Sequence, residues 1–397
     1  MNVMRHLRVP NSKVEGVLAQ MKAEQWLAIG FRVIPDEDGT HRLLPISTEA
    51  PSELPGLTSA YEVELVEGRA DERPSSDWWK HLKEILGEEE VALHGESWPS
   101  NHEFIGDMMI VRIDEALRDH TQAIAKAKMH SHPHVRLVMD DRGVQGELRI
   151  RDLEPIGCRN GEHVLTSNFP PHLIETRVMV RESGRSILCD PTRAYFSTKL
   201  QAERLETLAL AKELRSLLGR PLRVCDPFCG VGPALATLLG EPELVGDLLA
   251  SDLNPDAVEM LFDNLRRWDR RNYPSETTTL SRIHEDRVVG TADATKLHED
   301  PGTSGSWDLL LVNLPHRTVE FLPSLVPLLD RTSPSMVRGR VITDESGIEE
   351  ASEAIRKALP PRLEGTSEPT LKIKRDYSST LRLCSFEAWI APIPEKN

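Results

Sequence analysis

No run of the chain approaches the roughly 20 consecutive apolar residues that a membrane-spanning helix needs. The opening MNVMRHLRVP also lacks the apolar stretch of a secretory signal. Cysteine is sparse: Cys158, Cys189, Cys225, Cys229 and Cys384 are odd in number and scattered, which excludes a disulfide framework and points to a reducing compartment. Aromatic residues are only 5% of the total. Positive charge is short as well. The 397 residues carry 48 Lys and Arg against 63 Asp and Glu, a net −15, so a generally basic nucleic-acid binder is excluded and any RNA must meet a local patch. What remains is a composition 39% hydrophobic and 28% charged, enough for real cores and long enough for two or three domains. The expectation is a cytoplasmic protein, not bound to membranes, acting as a monomer without an obligatory protein partner.

Three units are expected. Residues 1–48 read as a small α+β module: HLRVP alternates like a strand, SKVEGVLAQMKAEQWL has helical spacing behind the caps Asn11 and Ser12, and FRVIP and HRLLPI flank a turn. Residues 49–76, rich in Pro, Ser and Glu, read as a linker. Residues 77–189 read as a middle α+β unit with a helix around WWKHLKEIL, one buried strand FIGDMMIVRI, a helix across 114–128, and the strands VRLVMD and GELRIRDLEPI. From 190 to 397 strands and helices alternate and end in a β pair. That pattern predicts a Rossmann-like, doubly wound, mostly parallel seven-stranded sheet.

Four strand ends in this last unit carry chemistry. Asp226-Pro227-Phe228-Cys229-Gly230-Val231-Gly232-Pro233 joins a strand to a helix, and its glycines allow a tight turn and close approach of a ligand. Alone it is also what an ordinary βα turn looks like. Asp252 ends the next strand, where a carboxylate can accept from both hydroxyls of a ribose. Asn254 and Pro255 already start the following helix, so Asp252 is not needed as its cap. Asp293-Ala294 follows the third strand and can meet an adenine amino group, or be a turn acid. Asn313-Leu314-Pro315-His316 follows the fourth. Four such sites in order describe a class I S-adenosylmethionine methyltransferase. A dinucleotide fits worse, because Leu235 stands where G-x-G-x-x-G needs its third glycine.

DPFCGVGP, ASDLNPDAVEMLFDNLRRW, GTADA and LLVNLPHRTVEFL, with GELRIRDLEPI, RAYFSTKLQAERLETL and the opening HLRVPNSKVEGVLAQM upstream, resemble the archaeal and eukaryotic tRNA guanine-N1 methyltransferases acting at position 37. The resemblance implies a tRNA-checking N-terminal module, a middle domain packed on the catalytic unit, and transfer of a methyl group from S-adenosylmethionine, leaving S-adenosylhomocysteine. It places the cofactor on Arg204, Asp252, Leu253, Asp293, Ala294 and Asn313, beside Asp226, Phe228, Gly230 and Gly232 of the glycine turn. It also implies Glu203 as general base, Arg149 steadying charge on guanine O6 (with Arg151, two residues on, as the alternative), Asn313 offering its amide oxygen to the base, and Pro315 stiffening that loop. Glu203 is otherwise a solvated acid in the first turns of a helix capped by Thr198 and Gln201. The stretches 158–188 and 271–286 look longer than in that family. Two other functions stay open: aminocarboxypropyl transfer or methylation in wybutosine-type tricyclic guanine biosynthesis, and a non-catalytic RNA-binding protein on a relic nucleotide fold.

Cys225 and Cys229 read as packed thiols. His130, His132 and His134 in MHSHPH lack a completing acid or cysteine, so no metal is expected. Ten Lys and Arg against five acids between Arg177 and Arg223, and RRWDRR at 266–271, are the expected basic patches for tRNA.

Overall fold

The computed structural model describes residues 3–28, 30–36, 38–69 and 77–393. It divides into two compact units, 1–76 and 77–397.

In the first unit, β1 (Val3–Pro10) leads through a 3₁₀ turn into α1 (Val14–Ala23), followed by β2 (Ile34–Pro35), β3 (His41–Pro45) and β4 (Glu62–Glu67). The sheet order is β2-β3-β1-β4. Leu7, Val9, Val17, Met21, Leu44, Leu54 and Leu57 form its core. The helix has no side-chain cap, since Asn11 and Ser12 are spent in the 3₁₀ turn. The expected linker is largely part of this module, and its last residues, 70–76, lie outside the described ones. β4 pairs antiparallel with β1 from Val3↔Glu67 to Arg8↔Glu62. Leu54 and Leu57 are buried in the same core as Leu7, Val17 and Leu44. Proline and serine density signalled a loop, but the apolar residues between them had a core to fill.

A cut after residue 48 would therefore strip β4, Leu54 and Leu57 of their partners, whereas a cut after 76 leaves every residue of the second unit's cores in place. We expect the 77–397 fragment to melt cooperatively and the 49–397 fragment to aggregate or be trimmed rapidly by protease up to about residue 76. Equal protease resistance of residues 49–76 in both the fragment and the full chain would contradict this.

The second unit opens with α2 (Trp78–Leu86), capped by Asp77, and α3 (Glu88–His94). β5 (Glu103–Ile105), β6 (Met108–Val111), α4 (Thr121–Ser131), β7 (Leu137–Gln145), β8 (Ile150–Asn160) and β9 (His163–Leu165) follow, in a five-stranded sheet ordered β5-β6-β7-β8-β9. The single strand expected from FIGDMMIVRI is a hairpin instead: Gly106, at φ 61°, folds β5 back on β6. Gly106-Asp107 is the turn signal inside the run; with buried apolar residues on both sides, the run reads as one strand interrupted by two residues.

β10 (Val178–Glu182) and β11 (Arg185–Cys189) form a separate hairpin, then α5 (Gln201–Leu218) leads to the large sheet. Its elements are β12 (Leu222–Asp226), α6 (Pro233–Leu238), β13 (Val245–Asp252), α7 (Pro255–Asp269), β14 (Ser281–His284), β15 (Arg287–Thr291), β16 (Leu309–Val312), α8 (Thr318–Leu325), β17 (Ser335–Asp344), α9 (Ile348–Ala358), β18 (Lys372–Asp376) and β19 (Leu381–Ile390). The order is β14-β15-β13-β12-β16-β17-β19-β18. The parallel block runs from β15 to β17, with β19 antiparallel to β17. Eight strands stand where seven were expected. The extra one, β14, comes from the long stretch after α7 and forms the sheet edge, pairing antiparallel with β15.

The division at 189 does not separate two cores. Ile110, Leu137 and Met139 of the middle sheet share one cluster with Leu188, Val224 and Leu261. The β10–β11 hairpin, from the other long stretch, is fixed to α7: Asn264 Nδ2 donates to the Leu188 carbonyl at 2.9 Å and its Oδ1 accepts from Leu188 N at 2.7 Å, while Trp268 Nε1 donates to Ser186 O at 3.0 Å.

Candidate active site

The strand order reverses between β12 and β16, and the loops beyond the carboxyl ends of these strands enclose a cavity of about 730 Å³. This is the crevice where doubly wound sheets bind ligands. Its lining includes Arg149, Arg204, Phe228, Gly230, Asp252, Leu253, Asp293, Ala294, Asn313 and Pro315, residues scattered over half the chain. Tyr195 and Phe196 wall it too. Asp226, Gly232 and Glu203 are not among the lining residues; all three lie behind the wall.

Gly232 has φ 85°, and a Cβ there would lie 2.7 Å from Leu261 Cδ1, so both backbone and packing require glycine. Its part is to close the turn on α7. The turn is held to the next strand by Asp252, whose Oδ2 accepts from Gly230 N at 2.8 Å and Oδ1 from Asn254 N at 2.9 Å. Burial pushes the Asp252 carboxyl up, against three backbone N–H donors that pull it down. Asn254 caps α7 as expected, accepting from Asp256 N. Asp293 is an N-cap, accepting from Thr295 N at 3.0 Å and Thr295 Oγ1 at 2.7 Å. It nevertheless borders the cavity.

Asp226 is 1% exposed, and burial pushes its carboxyl up to about 7; the neighbouring Asp252 adds to this, while Phe228 N–H and Arg340 oppose it. A raised folded-state pKa means that the unfolded chain gives up its proton first. The stability Asp226 contributes is full below its unfolded value of 3.8 and is lost as pH rises to about 7. We expect Asp226→Asn, which cannot ionise, to gain in melting temperature relative to wild type between roughly pH 4 and 7, then to hold that gain. A difference that does not change over this window would exclude a buried, shifted acid.

Glu203 lies in the first turn of α5, 5% exposed. The preceding cap is Ser197, not the expected Thr198: Ser197 Oγ accepts from Lys199 N, because residues 198–200 form a 3₁₀ turn before the helix. Glu203 Oε2 stands 2.9 Å from Arg340 Nε. The two are not aligned as a hydrogen bond, and Oε2 has no donor. Arg340, on β17, also donates from Nη1 to Asn313 Oδ1 at 2.6 Å. Since arginine only donates, this contact fixes the amide: oxygen toward Arg340, NH₂ free. The amide oxygen expected to face the base is committed to Arg340. Pro315 is tied to β17 by accepting from Ile342 N at 2.9 Å.

Arg340 was missed. Its signal was a pair of arginines, Arg338 and Arg340, alternating in an otherwise buried strand, MVRGRVITD, where an unpaired charge is not tolerated. Tyr377 was also missed. Its hydroxyl lies 3.3 Å from both Arg149 Nη2 and His316 Nε2. Arg149 and Arg151 differ in their surroundings. Arg149, at φ 55°, sits in the turn before β8 and lines the cavity, while Arg151 is consumed by Glu103 and Asp141 at 3.0 and 2.8 Å. Arg204 pairs with the buried Glu182 at 2.5 Å and Ser197 O at 3.0 Å, leaving part of its guanidinium for the cavity.

The local charge counts do not become surface patches. Arg177, Arg193, Lys212, Arg220 and Arg223 pair with acids from outside the stretch, and Arg204 with Glu182 inside it. Arg266 and Arg271 pair with Asp263 and Asp286. The arginines that gather are those of the cavity: Arg149, Arg204, Arg317, Arg340 and Arg375. All five cysteines are free and buried, and burial raises the Cys225 and Cys229 thiols far above their ordinary value. His130 and His132 lie at the end of α4 and just beyond it, with His134 in the following turn, rather than on an extended strand.

This strand order, with a cavity beyond the carboxyl ends of the parallel strands, is the fold of class I methyltransferases. In sequence the chain is similar to curated tRNA (guanine(37)-N(1))-methyltransferases. The Trm5b protein of Pyrococcus abyssi is 31% identical over 169 residues, 42% of this chain and 44% of its own. The Trichomonas vaginalis protein is 24% identical over 228 residues, 57% of this chain and 50% of its own. The chain thus spans about half the length of these curated relatives in its matches. A crystal structure of Trm5b from Pyrococcus abyssi superposes with a TM-score of 0.60 at 20% identity, covering 98% of this chain and 99% of that one. Residues 80–160 match the family model described as the TYW2 N-terminal domain. Among the described residues no helix is long and apolar enough to cross a membrane.

Proposed function

We propose that the protein transfers a methyl group from S-adenosylmethionine to N1 of guanosine at position 37 of tRNA. The observation that carries this is the convergence of Arg149, Arg204, Asp252, Asp293 and Asn313 on one cavity, with Glu203 held behind it through Arg340. The curated relatives named for this reaction support it.

The residues fit the cofactor. Asp252 borders the cavity with its carboxylate and accepts from the ribose hydroxyls there, and Phe228, Leu253, Ala294 and Phe321 offer apolar walls to a purine. Arg204 has N–H groups left for a carboxylate. When bound, the cofactor supplies an activated methyl on a sulfonium. The protein must then remove the N1 proton, stabilise charge on O6 and align the atoms. Arg149 is placed to donate toward O6, held by Tyr377. The free NH₂ of Asn313 donates rather than accepts. Glu203 takes the N1 proton, and guanine entry breaks the Arg340–Glu203 contact so that N1–H meets the donor-free Oε2. Arg149 and Arg375 at the cavity are placed for RNA phosphates or bases near the target.

Aminocarboxypropyl transfer to a tricyclic guanine has one observation in its favour, the match of residues 80–160 to the TYW2 N-terminal domain. That stretch carries only Arg149 of the proposed site. Incubating the protein with labelled S-adenosylmethionine and unmodified tRNA bearing guanine 37, then weighing the released nucleoside, tests both. A methylguanosine supports the proposal. No product on this tRNA, with an aminocarboxypropyl group gained on tricyclic-base tRNA, would replace it.

A further inference from the structure

Far from the cavity in sequence, three side chains of the middle sheet's helical layer converge. Glu90 and His94 lie one turn apart on α3, and His120 ends the 3₁₀ turn Glu115–His120. One nitrogen of each histidine and one oxygen of Glu90 lie within 4.8 Å of one another. Glu90 Oε1 is 3.2 Å from His120 Nε2 and 3.6 Å from His94 Nε2. Zinc bonds of about 2.0–2.1 Å at tetrahedral angles place neighbouring ligand atoms about 3.3 Å apart, so both spacings are close to a tetrahedron's edge.

The surroundings favour ligation over a simple charge pair. Glu90 and His94, 3.6 Å apart, are too far for a hydrogen bond, and Glu90 and His120, at 3.2 Å, are at ion-pair distance without making one. The imidazoles are oriented by Trp98, whose ring lies 5.3 Å from His94 and 5.4 Å from His120. Trp98 is itself fixed, 2% exposed and donating to Val91 O at 2.9 Å. The histidine rings are 5.2 Å apart. The three side chains are partly covered, at 38%, 25% and 19% exposure for Glu90, His94 and His120, which leaves a way in. His120 also borders a second cavity of about 820 Å³. Two imidazoles and one carboxylate with room for a solvent ligand suit a borderline divalent transition ion better than magnesium or calcium, which prefer oxygen alone.

We propose that Glu90, His94 and His120 bind one zinc-class divalent ion, which ties α3 to the turn that leads into α4. The role is structural, since the group lies in the middle domain and none of the three residues lines the proposed active site. The test uses the full chain, stripped with chelator and titrated with Co²⁺ alone. One equivalent should give the visible absorption of four-coordinate cobalt, which Zn²⁺ then abolishes, and Zn²⁺ should raise the melting temperature over chelator-treated protein. Glu90→Gln and His120→Ala should each weaken Co²⁺ binding by at least about tenfold, while a His132→Ala, His134→Ala variant binds as wild type. Glu90→Gln is nearly isosteric, so its melt in chelator separates lost metal from lost fold. No cobalt absorption in the wild type, or binding lost only in the His132/His134 variant, overturns the proposal.

Discussion

Replacing Glu203 by glutamine is expected to slow single-turnover methyl transfer by about 100-fold or more. Affinities for tRNA and cofactor should stay near wild type. Glutamine keeps the size and an oxygen for Arg340 but cannot accept the N1 proton. The Arg340–Glu203 and Arg340–Asn313 contacts, at 2.9 and 2.6 Å, add a second arm. Arg340→Met should lower kcat with little change in cofactor affinity, and the Glu203→Gln, Arg340→Met double variant should be scarcely slower than Glu203→Gln alone. A near-normal rate in Glu203→Gln would assign the proton to another acceptor. Additive losses in the double variant would show that Arg340 acts on its own.

The second large effect concerns the cofactor. Asp252→Ala removes the carboxylate proposed to accept two ribose hydroxyls, each hydrogen bond to a charged group being worth about 1.5–3 kcal/mol. Calorimetry should show S-adenosylmethionine binding weakened by about 100-fold or more. The structure adds a cost not visible in the sequence: the alanine variant also orphans Gly230 N–H and Asn254 N–H, so some stability goes with it. Asp252→Asn, which keeps an acceptor oxygen, should retain most of the melting temperature yet still bind poorly. Wild-type affinity in Asp252→Asn would remove this residue from the cofactor site.

Much of this architecture was written in the sequence. Strand-end residues such as Asp252, Asp293 and Asn313 could be placed because alternating strands and helices fix one end of a parallel sheet, and each loop there follows its strand directly. Asn254 as the cap of α7, and Val258, Leu261 and Leu265 as its buried face, followed from spacing within one helix. These are local properties, and local chemistry reads along the chain. What the sequence hid were contacts between distant segments. Arg340 lies far from both Glu203 and Asn313 in sequence, yet it holds both, because β17 runs beside β16 and its end meets the start of α5. Arg151 looked equivalent to Arg149 until Glu103 and Asp141 claimed it. The basic stretch from Arg177 to Arg223 looked like a phosphate-binding patch until acids of α7, Asp308 before β16 and Glu241 paired with half of its cations. Residues 49–69 looked like a linker until β1 supplied an edge for β4. Periodicity and turn chemistry determine which elements form; only the packed structure decides which charges remain free, because a charge near the protein interior is assigned by its nearest opposite neighbour in space.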